Sequence, residues 1–252
     1  MTAEPIVELR DVAVPSRRDS ELAIIEGVNW SVNAGEFWVI GGHQESGKSD
    51  LMFMLAGLTK PLRGVYQMLG QDIARRFGDE FLSNRLRVGM VFDDARLLNH
   101  LTIAENVSLP ARYHQNFSFD EAQSWTTALL KETEIAEFAN NTPSTVRRNW
   151  CRRAALARAL AIKPDVFLLE NPLRGLDSRH ATWWLQFITK LWRGHALLSG
   201  KPATVIASTD EFYPWRNSGA QFATLHRKAF ATAGSELPRD DAFMSRTAGE
   251  EI

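Results

Sequence analysis

The sequence is poor in cysteine, in charge of one sign and in long apolar runs. Cys151 is the single cysteine among 252 residues, which excludes an intrachain disulfide and indicates a reducing compartment. Lys and Arg number 29 against 30 Asp and Glu, so the chain is not a generally basic nucleic-acid binder. No run reaches the roughly 18 apolar residues of a membrane span. We therefore predict a cytoplasmic protein that binds no nucleic acid and reaches a membrane only through partners.

Strand-like and helix-like segments alternate along most of the chain. Residues 36–40 (EFWVI) form a short apolar run, typical of a strand buried on both faces. Residues 103–142 lose the strand pattern, and 178–198 is predicted to be one long helix. This alternation predicts an α/β fold with a mainly parallel sheet and an inserted helical subdomain at about 103–160.

The C-terminal part has a different composition from the rest. From about Lys228 the chain is polar, small and acidic. We predict one domain over residues 1–227 and a polar tail over 228–252. The tail is interpreted as mobile, with a docking arm for a partner as the alternative.

A phosphate-binding sequence lies between the predicted buried strand and a predicted helix. It has the form G-x-x-x-x-G-K-[ST], known as Walker A, and consists of Gly42, His43, Gln44, Glu45, Ser46, Gly47, Lys48 and Ser49. Glycines let backbone N–H groups curl around phosphate oxygens, Lys48 reaches the β- and γ-phosphates, and the Ser49 hydroxyl can hold Mg²⁺. Glu45 reduces nucleotide affinity unless its side chain points to solvent. A loop that keeps its shape without binding nucleotide is therefore the alternative.

Three further segments resemble the ATP-binding subunit of ABC transporters. They are VGMVFDDARLLNHLTIAENVSLP, RRAALARALAIKPDVFLLENPLRGLD and TVIASTD, and the resemblance covers about Ile6 to His226. It implies an ABC-type P-loop NTPase fold with N-terminal antiparallel strands, and ATP and Mg²⁺ as cofactors. It also implies a transmembrane permease partner and a peripheral position on the inner membrane face. The run Arg152–Leu160 is similar to ATPases of Mla-type lipid importers.

Most catalytic positions of the family are altered in this alignment. The family's switch glutamine falls on Asp93, its acidic Mg²⁺ partner on Glu170, its water-polarising glutamate on Asn171, and its switch histidine on Thr209. The resemblance thus implies Ser49, Glu170 and Asp93 as Mg²⁺ ligands. The LSGGQ signature falls on Val146, Arg147, Arg148, Asn149 and Trp150, whereas the D-loop residue Asp177 stays in pattern. The adenine-stacking aromatic falls near Pro15 or Ser16, neither of which stacks strongly.

These substitutions predict ATP binding with little or no hydrolysis. Asn171 cannot accept a proton from water, and losing a general base typically costs about 10²- to 10⁴-fold in rate. The altered signature would damage the site built on a partner's loop, so a heterodimer with a second ATP-binding subunit is favoured over a homodimer. Arg147 and Arg148 are either substitute phosphate clamps, a solvated basic face or an interface with an acidic partner.

Two other functions stay open at this point. One is a scaffold pseudo-ATPase that binds no nucleotide, which Glu45 and the missing aromatic favour. The other is a competent phosphoryl-transfer enzyme, such as an ABC ATPase with unconventional residual hydrolysis. In the ABC interpretation, Asp93 to Tyr113 is the candidate permease contact.

Overall fold

The computed structural model describes residues 4–73, 82–115 and 117–239. The strands are β1 Val7–Pro15, β2 Ala23–Val32, β3 Phe37–Gly42, β4 Arg63–Met68, β5 Gln71–Asp72, β6 Val88–Val91, β7 Val166–Leu169, β8 Thr204–Thr209, β9 Gln221–His226 and β10 Ala229–Gly234. The helices are α1 Lys48–Leu55, α2 Leu82–Arg85, α3 Ile103–His114, α4 Phe119–Glu132, α5 Arg148–Leu160 and α6 Ser178–Arg193.

The strands form two sheets of different character. The smaller sheet has the order β2-β1-β4-β5 and is antiparallel throughout. The larger has the order β10-β9-β3-β8-β7-β6, and only its β9–β10 pair is antiparallel. The predicted α/β fold, with a mainly parallel sheet and N-terminal antiparallel strands, is confirmed.

Strand β3 contributes to both hydrophobic cores because its side chains alternate between the two faces of the larger sheet. Phe37 and Val39 pack in the core that contains α3, α5 and α6. Trp38 and Ile40 pack in the core that contains α1 and the smaller sheet. All six residues of β3 are buried, as its apolar run predicts. The segment that follows β3 is therefore anchored from two sides.

The helical segment after β6 begins at well-defined caps. Thr102 and Glu105 form a capping box at the start of α3, and Ser118 and Glu121 form another at the start of α4. Helix α3 packs against both α4 and α5. Within the described ranges, no helix is long and apolar enough to cross a membrane.

Two sequence predictions differ from the structure near the C-terminus. The helix predicted over 178–198 ends at Arg193, because Gly194 adopts φ 111° and a Cβ there would collide with the Gly200 carbonyl. Residues Ala229–Gly234 form β10 against β9, where the sequence predicted the start of a polar tail. The small residues of this segment suit an edge strand, and Phe230 packs against Trp30. The described part of the predicted tail thus includes a strand, and residues 240–252 of that tail lie outside the described residues.

Candidate functional site

The predicted phosphate loop connects β3 directly to α1. A Cβ at Gly42 would lie 2.6 Å from Ser46 Oγ and 2.7 Å from the Leu225 carbonyl oxygen, so the position excludes a side chain. Gly47 has φ 96° at the start of α1, which glycine adopts without strain. Glu45 is exposed, so its side chain meets the predicted condition that it point to solvent. The loop thus has the backbone geometry that its sequence predicts.

Lys48 is the best-anchored charged residue of this loop. Its Nζ donates to the carbonyl oxygens of Gly42 at 2.5 Å and His43 at 2.6 Å. The same atom lies 3.1 Å from Asp210 Oδ1. Burial lowers the pKa of Lys48, and the Asp210 carboxylate opposes that shift. The lysine thus places a partly desolvated cation at the loop.

Asp93 is surrounded by three arginines. One carboxylate oxygen is 3.2 Å from Arg148 Nη2 and also pairs with Arg152; the second is 3.3 Å from Arg174 Nη1. Arg152 is buried and also donates Nε to the Asp93 carbonyl at 2.9 Å. Burial lowers the pKa of Arg152, and Asp93 opposes this. Asp93 therefore does not fit the predicted role of a Mg²⁺ ligand in this arrangement.

Glu170 and Asn171 follow the end of β7 and are both buried. Asn171 has φ 43°, and its N–H donates to Ser208 Oγ at 3.0 Å. Its side-chain Oδ1 is buried and has no hydrogen-bond partner within the described part of the chain. Such an oxygen can accept a hydrogen bond from water or a ligand, but an amide cannot remove a proton as a carboxylate can.

The Thr209 hydroxyl is engaged in the turn after β8. It donates to the Glu211 carbonyl at 2.7 Å and accepts from the Glu211 N–H at 3.2 Å. It also accepts from the indole N–H of buried Trp215 at 3.1 Å. The residue at the family's switch position therefore ties the turn to the core.

A cleft of about 810 Å³ adjoins the phosphate loop and Asn171. Its wall includes Asn171, Arg174 and Asp210, together with the loop and helix residues Gln44, Glu45, Gly47, Lys48, Ser49 and Asp50. The opposite end is lined by Ser16, Arg17, Arg18, Asp19, Leu22 and Ile24. Two positions were predicted for the adenine-stacking residue. Of these, Ser16 lines the cleft and Pro15 is buried in β1. The cleft has room for a phosphorylated ligand that carries a ring.

Several cleft residues escaped the sequence reasoning, among them Arg17, Arg18, Arg174 and Asp210. Arg17 donates its N–H to Asp50 Oδ1 at 2.8 Å and lies over the Phe53 ring. Arg174 and Asp210 sit inside the quoted segments NPLRGLD and TVIASTD, but no motif position gives them a role. Their closeness in sequence to Asn171 and Thr209 was the one feature that could have indicated a place in the site.

The predicted signature segment divides between two environments. Arg147 is the exposed N-cap of α5, and exposed Arg148 pairs with Asp93 of its own chain. Asn149 lies 2.6 Å from His180 Nε2, and Trp150 packs edge-on against the same ring. Val146 packs partly buried against the core. Asn149 and Trp150 thus hold α5 against α6.

Asp177, the predicted D-loop residue, caps the N-terminus of α6. Its Oδ1 accepts from the His180 N–H at 2.9 Å. That bond lowers the pKa of Asp177. The predicted D-loop residue therefore has a clear structural role.

The site fits a phosphate group better than it fits a metal ion. The glycine loop and Lys48 suit phosphate oxygens. Ser49 lines the cleft beside them and Glu170 keeps a carboxylate, so these two residues fit Mg²⁺. In the described residues, no group of three or more His, Cys, Asp or Glu is arranged to hold a metal. Any Mg²⁺ would thus depend on phosphate oxygens for further ligands.

A buried parallel strand, a glycine loop and a helix that begins at a buried lysine define a P-loop nucleotide-binding domain. A family model described as ABC transporter matches residues 25–174. The chain belongs to this family and is one of its ATP-binding domains.

Relatives and solved structures share this domain. Macrolide export ATP-binding/permease protein MacB 2 of Aeromonas hydrophila is 32% identical over 78% of this chain and 31% of its own length. Methionine import ATP-binding protein MetN of Lactobacillus acidophilus is 28% identical over 91% of this chain and 65% of its own length. The dimeric bacterial ABC transporter cassette MJ0796 is 28% identical, with a TM-score of 0.81 over 91% of this chain and 99% of its own. This chain spans about a third of the ATP-binding/permease relatives.

Proposed function

We propose that this chain is the ATP-binding component of a membrane transporter and that it holds ATP with little or no hydrolysis. Lys48 and the N–H groups of the phosphate loop would bind the phosphates, and Ser49 and Glu170 would hold Mg²⁺. Bound Mg²⁺ would neutralise phosphate charge. The chain's own groups then bind and orient the nucleotide, but they include no carboxylate at position 171.

The environment of Asn171 is the observation that carries this proposal. Its unpaired buried Oδ1 at the cleft can position a water molecule by accepting a hydrogen bond. It cannot take the proton that an attacking water must lose. The Thr209 hydroxyl already has three hydrogen bonds in its own turn and supplies no substitute base.

Equilibrium binding of Mg²⁺-ATP, with phosphate release followed in the same sample, tests the proposal. We expect saturable binding, loss of about 100-fold in affinity for Lys48→Ala, and no sustained release. Sustained release that Lys48→Ala abolishes would overturn the claim of little hydrolysis and favour the residual-hydrolysis alternative.

Restoring the carboxylate sharpens the same test. Asn171→Glu should raise phosphate release by at least about 10-fold if the missing base limits the rate. Asn171→Gln is the matched control, because it adds the same methylene without a base. Equal rates in both variants would shift the limitation to another altered position, such as Thr209.

The nucleotide-free scaffold is the second candidate, and one observation favours it. The Lys48 ammonium is already satisfied by two carbonyls and Asp210, so phosphate must displace established contacts. No detectable binding of ATP by the wild type or by Lys48→Ala would support the scaffold.

We further propose a transmembrane permease and a second ATP-binding subunit as partners. The names of several relatives pair an ATP-binding part with a permease, which supports the first. Arg148 pairs with Asp93 in its own chain. This ion pair competes with binding of Arg148 to a phosphate in a partner subunit, and it therefore favours a partner that is a different protein. Sedimentation of the pure chain with ATP tests this, since a stable homodimer would contradict it.

The candidate permease contact, 93–113, is anchored near its start and carries exposed apolar residues farther along. Arg158 donates to the carbonyls of Arg96 at 2.6 Å and Ala95 at 2.8 Å. Leu98 and Tyr113 are exposed large apolar residues farther along. Crosslinking from Leu98 to a co-expressed permease would test this assignment. The predicted kinship to Mla-type lipid importers stays a prediction.

A further inference from the structure

We infer that Arg174 is a ligand of the terminal phosphate in this chain, and that Asp210 competes with that phosphate for Arg174 and Lys48. The inference rests on the proposed binding of ATP. It assigns a binding role to an arginine that no motif of the sequence identifies, and an opposing role to a neighbouring carboxylate.

The Asp210 carboxylate lies between two cations. Its Oδ1 is 3.1 Å from Lys48 Nζ, and its Oδ2 is 3.6 Å from Arg174 Nε. One anionic group thus engages the phosphate-loop lysine with one oxygen and Arg174 with the other. A phosphoryl group offers the same arrangement of two or more anionic oxygens, so the two cations are already spaced to share one.

All three side chains belong to the nucleotide cleft. Arg174 and Asp210 line it together with Lys48, Ser49 and Asn171. The Arg174 side chain is 46% exposed, whereas that of Lys48 is 5% exposed. Arg174 therefore has room to follow a ligand that enters the cleft, while Lys48 is fixed within the loop.

The backbone of Arg174 is held in place from below. Its carbonyl oxygen accepts a hydrogen bond of 2.5 Å from Nη1 of buried Arg152. The guanidinium reaches outward from this anchor, with Nη1 3.3 Å from Asp93 Oδ2 and Nε near Asp210. A guanidinium presents five donors in a planar fork, which suits phosphate better than a point charge does. Arg174 can therefore keep Asp93 while it exchanges Asp210 for phosphate.

Asp210 and the terminal phosphate compete because both are anions for the same two cations. Binding a triphosphate requires Asp210 to release Lys48 and Arg174. Neutralising Asp210 should remove this competition, whereas removing Arg174 should cost affinity only for a nucleotide long enough to reach it. The two substitutions thus have opposite expected signs.

Calorimetric titration with Mg²⁺-ATP and Mg²⁺-ADP separates these effects. For Arg174→Ala we expect about 10-fold weaker ATP binding and less than threefold change for ADP, since charge-assisted hydrogen bonds are the strong ones. For Asp210→Asn we expect about 10-fold tighter ATP binding. Arg193→Ala, at the exposed end of α6, is the matched arginine control and should change neither. Thermal melting of each variant checks that it folds.

Several outcomes would overturn the inference. Equal effects of Arg174→Ala on ATP and ADP, or none on either, would mean that Arg174 does not contact the terminal phosphate. Weaker ATP binding by folded Asp210→Asn would mean that Asp210 supports the site. If the wild type binds no ATP but Asp210→Asn does, the proposed function fails and the competition stands. If no variant binds, both fail.

Discussion

The two walls of the cleft are built in different ways. The phosphate-loop wall depends on backbone: buried strand β3, glycines at 42 and 47, and one lysine held by loop carbonyls. The facing, charged wall depends on side-chain charge: Arg174 and Asp210 line the cleft, and Asp93, which pairs with Arg148 and Arg152, contacts Arg174. The first wall keeps the family pattern, whereas the second contains two positions that depart from it, Asp93 and Arg148.

This difference separates what a motif can encode from what it cannot. A glycine that has no space for a Cβ constrains the residue type at its own position. The spacing of such glycines can therefore be recognised in the sequence. An ion pair between Asp93 and Arg152 joins residues 59 apart in the chain, and neither residue type alone indicates the partner. Substitutions in the charged wall can therefore compensate one another without leaving a local pattern.

The largest stability effect should come from Arg152, which anchors the charged wall. Arg152→Met should destabilise the fold by about 3 kcal/mol, because it leaves two carbonyls and part of Asp93 without their buried partner. Arg148→Met is the matched control: it removes a second partner of Asp93, but an exposed one, and should cost less than about 1 kcal/mol. Urea unfolding measures both, and equal losses would remove the distinction between buried and exposed pairs.

A smaller effect is expected on the backbone-built wall, at Gly41 of β3. A Cβ there would overlap the Phe212 ring, which is fully buried beneath the turn after β8. Gly41→Ala should cost about 2 kcal/mol by overpacking.

Gly41→Ala paired with Phe212→Leu provides its control. The double variant should lose less than the sum of the two single variants, because the smaller side chain makes room for the methyl group. Strict additivity in urea unfolding would show that the Phe212 contact is not what excludes a side chain at Gly41.

Thr209 should contribute less again, and to stability more than to chemistry. Thr209→Val leaves the Trp215 indole N–H and the Glu211 N–H without their acceptor. We expect the free energy of unfolding to fall by about 1–2 kcal/mol as a result. Thr182→Val, at an exposed α6 position, should stay within about 0.5 kcal/mol. Denaturant midpoints check both, and a stable Thr209→Val that loses ATP affinity would instead place the hydroxyl in the nucleotide site.

The sequence predicted the fold more completely than it predicted the site. Apolar runs such as 36–40 and the loop from Gly42 to Ser49 have local causes, and the structure has the predicted strand and turn there. The end of α6 at Gly194 depends on the distant Gly200, so periodicity extended the helix too far. Arg174 and Asp210 have significance only because β7 and β8 lie side by side and end at the same edge of the sheet.

Cys151 gives the smallest of the expected effects, and it tests burial on the helix that carries Arg152. It lies on α5 beside Arg152, and a neighbouring arginine alone would lower a thiol pKa. Burial instead raises the pKa of Cys151. The guanidinium of Arg152 is engaged with Asp93 and the Arg174 carbonyl. Since a raised pKa means less thiolate at any lower pH, iodoacetamide at pH 8 should alkylate the folded protein several-fold more slowly than the guanidinium-unfolded protein. Equal rates would mean that burial neither raises the pKa of this thiol nor shields it from the reagent in the folded protein.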